Sequence, residues 1–341
     1  MTDEWADYAY LSRTAFGYAG SQILYSAVRL GLPDALADGP LPVEKLAGAV
    51  GADPAALRRL ARALVVLGVL RETAPGQLAL AELGRPLCAG HPRSMRSSVL
   101  LFGDPAVWSA WGALSDSVLT GEPAFDRVHG RPLFDHLAGD AGLSRIFNTA
   151  MREGTGHLAA EVPRAVGCGG ARVVVDVGGG DGTLLAAVLA AVPGARGVLY
   201  DTAEGGAGAA ETFRRAGVAD RCAVEAGDFF ARVPGGDLLL LKGILHDWDD
   251  RRCATLLRRC REAIDPGGRL LVVEPVLPGR LDAPDAAGAV MSDIAMLVYT
   301  GGRERDRAGF EELLAGAGFA LEGVSAPLGG TAIRVLSAAP V

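Results

Sequence analysis

Three groups of residues in this chain have the types and spacing to do chemistry. His246 stands in Leu241-Lys-Gly-Ile-Leu-His-Asp-Trp-Asp-Asp250, just past an apolar run, with the aromatic Trp248 two positions on. Glu274 closes a second apolar run, Leu270-Leu-Val-Val-Glu274. A carboxylate at the end of a buried strand needs a partner, because burying its charge alone is costly. An imidazole N–H supplies one, and the pairing fixes tautomer and ring orientation, as the acid of a catalytic triad does. A histidine held this way, with an ordinary pKa of about 6.5, can take a proton from a hydroxyl near neutrality. The third group is the glycine run Val175-Asp-Val-Gly-Gly-Gly-Asp-Gly-Thr183.

Glycine in such a run allows positive φ and close approach of a ligand to the backbone. A helix N-terminus behind it offers unpaired N–H groups to a carboxylate or to ribose oxygens. The dinucleotide fingerprint is the rival, and it requires a third glycine three residues beyond the second. Counting from Gly178 and Gly180, that position is Thr183. Asp176 and Asp181 would also repel a pyrophosphate, whereas a cofactor with a sulfonium and an ammonium suits them. Asp201, 25 residues after Asp176, is placed to accept both hydrogens of a ribose diol, or is an ordinary strand-end residue. Asp228-Phe229-Phe230 offers a carboxylate and a ring to an adenine, although either ring suits a core equally. With a sulfonium bound, the chemistry is in-line methyl transfer to a nucleophile. A phenol, with a pKa of about 10, needs a base as it attacks.

The elements that must position these groups form an α/β fold. Arg172–Val177, Gly197–Tyr200, Cys222–Glu225, Asp237–Leu241 and Arg269–Glu274 read as strands, with helices between them, notably at 182–192 and 249–264. Gly318–Glu322 and Ala332–Ser337 supply two last strands. This is a Rossmann-like layout with a mainly parallel sheet, expected over residues 166–341. Upstream, residues 1–100 read as a helical, winged-helix-like domain. It has helices at 15–30, 43–50 and 55–67, Asp53 as a cap before Pro54, and a hairpin from 69–72 and 77–80. Residues 101–165, rich in Phe and Trp, read as a helical bridge lining a pocket.

A winged helix raises the possibility of a DNA-binding regulator, with Arg58, Arg59 and Arg62 on the second helix. Residues 1–100, however, hold ten basic and nine acidic side chains, and the whole chain has a net charge of −7. Neither suits a phosphate backbone, so self-association is the expected role and no nucleic-acid partner is expected. No apolar run spans a bilayer, and the start, with Asp3, Glu4 and Asp7, lacks a basic n-region, so neither membrane nor leader is expected. Five cysteines without a CxxC pair suit a reduced, cytoplasmic protein without structural zinc. Lysine is rare: only Lys45 and Lys242 stand among 33 basic residues, which singles out Lys242.

The stretches 176–182, Gly227-Asp-Phe-Phe230, 241–250, Asp265-Pro-Gly-Gly-Arg-Leu-Leu271 and Gly301-Gly-Arg-Glu-Arg305, in this order and spacing, resemble one family. It is the class of dimeric, metal-independent, S-adenosylmethionine-dependent O-methyltransferases that includes plant caffeate and flavonoid enzymes and bacterial antibiotic-tailoring enzymes. The resemblance covers nearly the whole chain. It implies that Gly178, Gly180, Asp201, Asp228, Phe229 and Lys242 contact the cofactor. It implies that His246 is the general base, with Glu274 and Glu304 flanking it. Phe147, Met151, Trp248, Asp293 and Met296 are then expected at the acceptor, a phenolic aromatic or polyketide-like secondary metabolite. A homodimer formed through the N-terminal helices is implied as well.

Two departures stand out. The family usually reads Asp-Leu-Pro after the second strand, and this chain reads Asp201-Thr-Ala-Glu-Gly-Gly, which brings Glu204 near the ribose turn. Plant members often carry Asn just before the paired glycines, where Tyr299-Thr300 stands here. Relatives that run hydroxylation, decarboxylation or pericyclic chemistry often lack the histidine or its carboxylates, and all three are present here. A metal-assisted reading would draw on His246, Asp247, Asp249 and Asp250, but the last two suit a helix N-terminus.

Overall fold

The computed structural model describes residues 3–341. The chain divides into two compact units. The first comprises residues 1–108 and 145–153, and the second residues 109–144 and 154–341. The expected bridge at 101–165 is thus shared between them.

In the first unit, helices Val43–Val50 and Pro54–Val66 form because each repeats apolar residues at helical spacing. Val43, Leu46 and Ala47 are buried from the one, and Leu57, Ala61 and Leu64 from the other. Asp53 caps the second helix, its Oδ1 accepting from the Ala56 N–H at 2.8 Å, with Pro54 at the first helical position. The hairpin of β2 (Leu70–Ala74) and β3 (Gln77–Leu80) is present, and β1 (Leu41–Pro42) pairs with β3 to complete a three-stranded antiparallel sheet. The unit is therefore helical with a small wing rather than wholly helical; β1 spans two residues, too short to leave a periodic signal. The helix expected over 15–30 is Tyr18–Arg29, and a further helix, Asp3–Ala15, precedes it across Phe16-Gly17 to make a pair. The first of the pair exposes Trp5, Tyr8, Tyr10 and Leu11, so it has no buried stripe to mark it in the sequence.

The second unit is built on one sheet of order β10-β11-β8-β7-β4-β5-β6. Its strands are β4 (Val173–Val177), β5 (Arg196–Asp201), β6 (Cys222–Ala226), β7 (Gly236–Lys242), β8 (Ile264–Leu277), β10 (Phe319–Val324) and β11 (Ile333–Pro340). The pairs among β4 to β8 are parallel, and β11 is antiparallel to β8 and β10. Two residues, Arg305–Asp306, form β9 and pair in parallel with Val276 and Leu277 of β8. Helices pack on both faces, which is why Val173–Val175 and Leu238–Leu241 are continuous apolar runs. Leu238 and Leu240 pack with Leu185, Val188 and Leu189 in one core, while Leu239 and Leu241 pack with Leu256, Leu257 and Phe310 in the other. That alternation is the period of two of a strand buried on both sides. The carboxyl ends of β4, β5, β7 and β8 open on one edge, where ligands bind in such sheets. Among the described residues no helix is long and apolar enough to cross a membrane.

Candidate active site

β4 ends at Val177, and the chain turns through Gly178, Gly180 and Gly182 with φ of 69°, 59° and 76° before helix Thr183–Ala191. A side chain at Gly178 would strike Ile244, and one at Gly179 would strike the Asp176 carboxyl, whereas Gly180 faces open space. The loop is therefore pressed onto the protein on one side and free on the other. Asp201, at the end of β5, accepts from the Gly180 N–H through Oδ2 at 2.8 Å and from the Thr202 N–H through Oδ1 at 2.6 Å. Thr202 Oγ1 adds a third hydrogen bond at 3.3 Å and accepts from Gly205 N, so the unusual turn is tied rather than loose. Glu204 is drawn aside by Ser144, whose hydroxyl donates to it at 2.5 Å. Asp228 accepts from the Phe230 N–H at 2.8 Å and is exposed, with Phe229 and Phe230 edge to face beside it.

Asp181 turns away from the loop, accepting from Thr183 Oγ1 at 2.7 Å and Thr212 Oγ1 at 3.0 Å. Asp176 is the acid beneath the glycines. It is 1% exposed, and among the described residues neither carboxylate oxygen makes a hydrogen bond. Burial, with the negative charge of Asp201 beside it, pushes its carboxyl up to about 7. An orphaned acid under an open glycine loop is what a cofactor bearing a positive charge fits. Lys242 ends β7; burial holds its ammonium below the ordinary range against the pull of Glu274, Asp176 and Asp247.

After Lys242, Gly243 turns at φ 62° into a three-residue helical turn, Leu245–Asp247, that carries His246. The imidazole Nδ1 lies 2.8 Å from Glu304 Oε1 and 3.6 Å from Glu274 Oε2. Each carboxylate is also held from behind. Glu274 Oε1 accepts from the N–H groups of Ile244 and Leu245, both at 2.9 Å, and Glu304 Oε1 accepts from Ser292 at 2.6 Å. Among the described residues Nε2 makes no hydrogen bond; the nearest acid, Asp247 Oδ1, is 3.9 Å away. Burial alone would depress the imidazole, but the charges of Glu274, Asp247 and Glu304 outweigh it and push it up to about 10. Burial raises Asp247 to about 6.

The residues expected at the acceptor take several places. Asp293 Oδ1 accepts from the Glu304 N–H at 2.9 Å, so this acid holds the backbone of Glu304 just ahead of β9. Trp248 stacks on Phe134 at 5.5 Å, meets Phe230 edge to face and carries the Arg252 guanidinium at 4.8 Å, as a packing residue does. Met296 is half-buried on helix Ala286–Tyr299, its sulfur 3.9 Å from Thr300 Oγ1. Phe147 and Met151 lie on helix Ala141–Gly156, in the part that belongs to the first unit. Sequence reasoning gave no role to Ser292 or Arg305 and weighed Asp247 only in the metal-assisted reading; Ser292 holds Glu304, while Arg305 and Asp247 lie at the turn. Only the unusual run of acids and arginines near 247–250 and 303–305 hinted at them. Gly302 was unassigned as well: any side chain there would collide with the His246 carbonyl and the Asp247 backbone.

A parallel sheet with an open glycine loop and an imidazole braced by two carboxylates defines a cofactor-dependent group-transfer enzyme. A model of the O-methyltransferase domain matches residues 111–320, and one of the O-methyltransferase dimerisation domain matches residues 12–89. The chain is 42% identical over 329 residues to the O-demethylpuromycin-O-methyltransferase of Streptomyces alboniger, covering 96% of this chain and 87% of that protein. It is 39% identical over 326 residues to the phenazine O-methyltransferase of Lysobacter antibioticus, covering 95% and 94%. The mitomycin 7-O-methyltransferase structure matches with a TM-score of 0.92 at 34% identity, over 99% of each chain. The chain belongs to the O-methyltransferase family; it is an S-adenosylmethionine-dependent O-methyltransferase with a family dimerisation domain.

Asp176 sets a pH dependence that can be measured without substrate. Its folded pKa of about 7 lies above the unfolded value near 3.8, so the folded state holds an extra proton between those values. This contribution to stability is fully present below about 4 and is lost as pH rises through about 7. The decline is at most ~1.4 kcal/mol for each pH unit in between. Asp176→Asn should flatten it in urea unfolding of the ligand-free protein between about pH 4 and 7. An unchanged slope would show that the carboxyl ionises normally.

Proposed function

We propose that His246 is the general base for methylation of a phenolic hydroxyl on a small aromatic or polyketide-like secondary metabolite. The observation that carries this is the imidazole's arrangement, with Nδ1 at 2.8 Å from Glu304 and Nε2 free of hydrogen bonds among the described residues. Glu304 and Glu274 fix the tautomer, so the lone pair is on Nε2. The charges of Glu274, Asp247 and Glu304 favour the imidazolium that forms as Nε2 takes the phenolic proton.

When bound, S-adenosylmethionine supplies a methyl group activated by a sulfonium. Gly178 and Gly180 would hold it against the loop, Asp201 would accept from its ribose, Asp228 and Phe229 would take the adenine, and Lys242 would meet its polar end. During transfer of that methyl group to the acceptor oxygen, His246 would keep the phenolic proton, and alignment of oxygen with the methyl group would supply the remaining acceleration. The relatives named above are for O-demethylpuromycin, phenazine and mitomycin, all small ring compounds, which supports an acceptor of that kind. Phe147, Met151 and Met296 are assigned to the acceptor ring by the family resemblance. Trp248 and Asp293, occupied by packing and by Glu304, are assigned to supporting the site.

His246→Ala should lower methyl transfer at least ~100-fold while S-adenosylhomocysteine affinity stays within about threefold. The assay is S-adenosylhomocysteine release over a panel of phenols, and near-normal turnover would remove the base from the mechanism.

A metal-assisted reading has one geometric attraction, since His246, Glu274 and Glu304 offer atoms within 4.8 Å of one another. Oε1 of each carboxylate, however, is already taken by N–H or O–H donors, which leaves only Oε2 of each without a partner among the described residues. Asp249 caps helix Asp250–Ala263 at 2.7 Å, and Asp250 is paired with Arg303 and Arg305. Turnover should survive EDTA; loss with EDTA and recovery with a divalent ion would establish the metal reading.

The dimerisation domain and the exposed Trp5, Tyr8, Tyr10 and Leu11 support a homodimer. Light scattering should give twice the 35.1 kDa chain mass, and an active monomer would overturn this assignment.

A further inference from the structure

We propose that Arg305 is a positioning residue for His246, its guanidinium fixing the two carbonyls that bracket the catalytic turn. Nη1 donates to the Leu245 carbonyl, one residue before His246, at 3.1 Å. Nη2 donates to the Trp248 carbonyl, two residues after it, at 3.0 Å. Nε and Nη2 bond Asp250 Oδ1 at 3.2 and 2.8 Å, and the remaining contacts go to the Arg303 carbonyl and to Cys253 Sγ. The residue is 4% exposed.

The turn Leu245–Asp247 closes on one bond of its own, from the Trp248 N–H to the Leu245 carbonyl at 3.2 Å, and otherwise only the weak donor Cys253 Sγ and Arg305 reach the Leu245 and Trp248 carbonyls. Buried carbonyls without donors are costly, and a turn free to swing would carry the imidazole with it. Arginine suits the place because five N–H groups in a rigid plane can reach carbonyls on two sides at once; the ammonium of lysine cannot. Its neighbour Glu304 holds the imidazole itself, so two consecutive residues brace the ring and the backbone that bears it. The charges that act on His246 are those of Glu274, Asp247 and Glu304. Arg305, neutralised by Asp250, therefore acts through geometry.

The catalytic meaning of this rests on His246 being the base, and the test is chosen to stand apart from that reading. The full chain carrying Arg305→Lys or Arg305→Gln is saturated with S-adenosylhomocysteine, and the His246 Nδ1–H proton is followed by NMR after assignment by its loss in His246→Ala. In the unaltered protein this proton, donated to a buried carboxylate, should be far downfield and slow to exchange. Both substitutions should speed its exchange at least ~10-fold while S-adenosylhomocysteine affinity changes by less than about threefold. An unchanged signal in either variant would overturn the inference. So would loss of the signal together with a ~30-fold or greater loss of affinity, which would mark Arg305 as a general folding element. Normal turnover in His246→Ala, by contrast, would refute the base reading while leaving this result readable.

Discussion

Much of this enzyme depends on placing negative charge beside an imidazole where water cannot dilute it. Glu274 is 0% and Glu304 3% exposed, and each has one oxygen without a hydrogen bond among the described residues. Two buried carboxylates would be strongly unfavourable by themselves. They persist because His246 stands between them and because backbone amides and Ser292 hold their other oxygens. The same charges that require the histidine also raise its affinity for a proton, so the structural need and the catalytic use coincide.

The surroundings follow from that cluster. β8 must run on to Leu277 and β9 must pair with it, because Glu274 comes from the one and Glu304 precedes the other. Gly302 must be glycine, because a Cβ there would collide with the carbonyl of His246. Asp249 caps the next helix, and Asp250 at its start anchors Arg303 and the Arg305 that clasps the turn. The cofactor edge uses the opposite device. There Asp176 lies buried without a hydrogen bond beneath glycines that leave the backbone open, so the ligand-free protein holds a site whose electrostatics are incomplete.

Departures from the family's usual residues are absorbed locally. Thr202 takes over bracing of Asp201, and Ser144 restrains Glu204, so the altered turn keeps its carboxylate in place. Tyr299, where plant enzymes often have asparagine nearby, accepts from the indole of Trp111 at 2.5 Å, and burial pushes its phenol up to about 12. This neutral, packed side chain argues against carrying plant acceptor preferences across.

The sequence alone determined the strand and helix order of the α/β unit, because apolar runs and glycine punctuation report local geometry directly. It also determined the cofactor loop, with Thr183 excluding the dinucleotide pattern, and it singled out His246 with Glu274 as a pair. Glu304 came only from resemblance, since no local pattern tells a surface glutamate from a buried one thirty residues away. Tertiary structure alone decided that Glu304 makes the shortest contact to Nδ1, that Asp293 holds the Glu304 N–H while Trp248 stacks on Phe134, and that Arg305 clasps the turn. Those facts depend on β9 lying beside β8, a pairing of two residues that only the folded sheet creates.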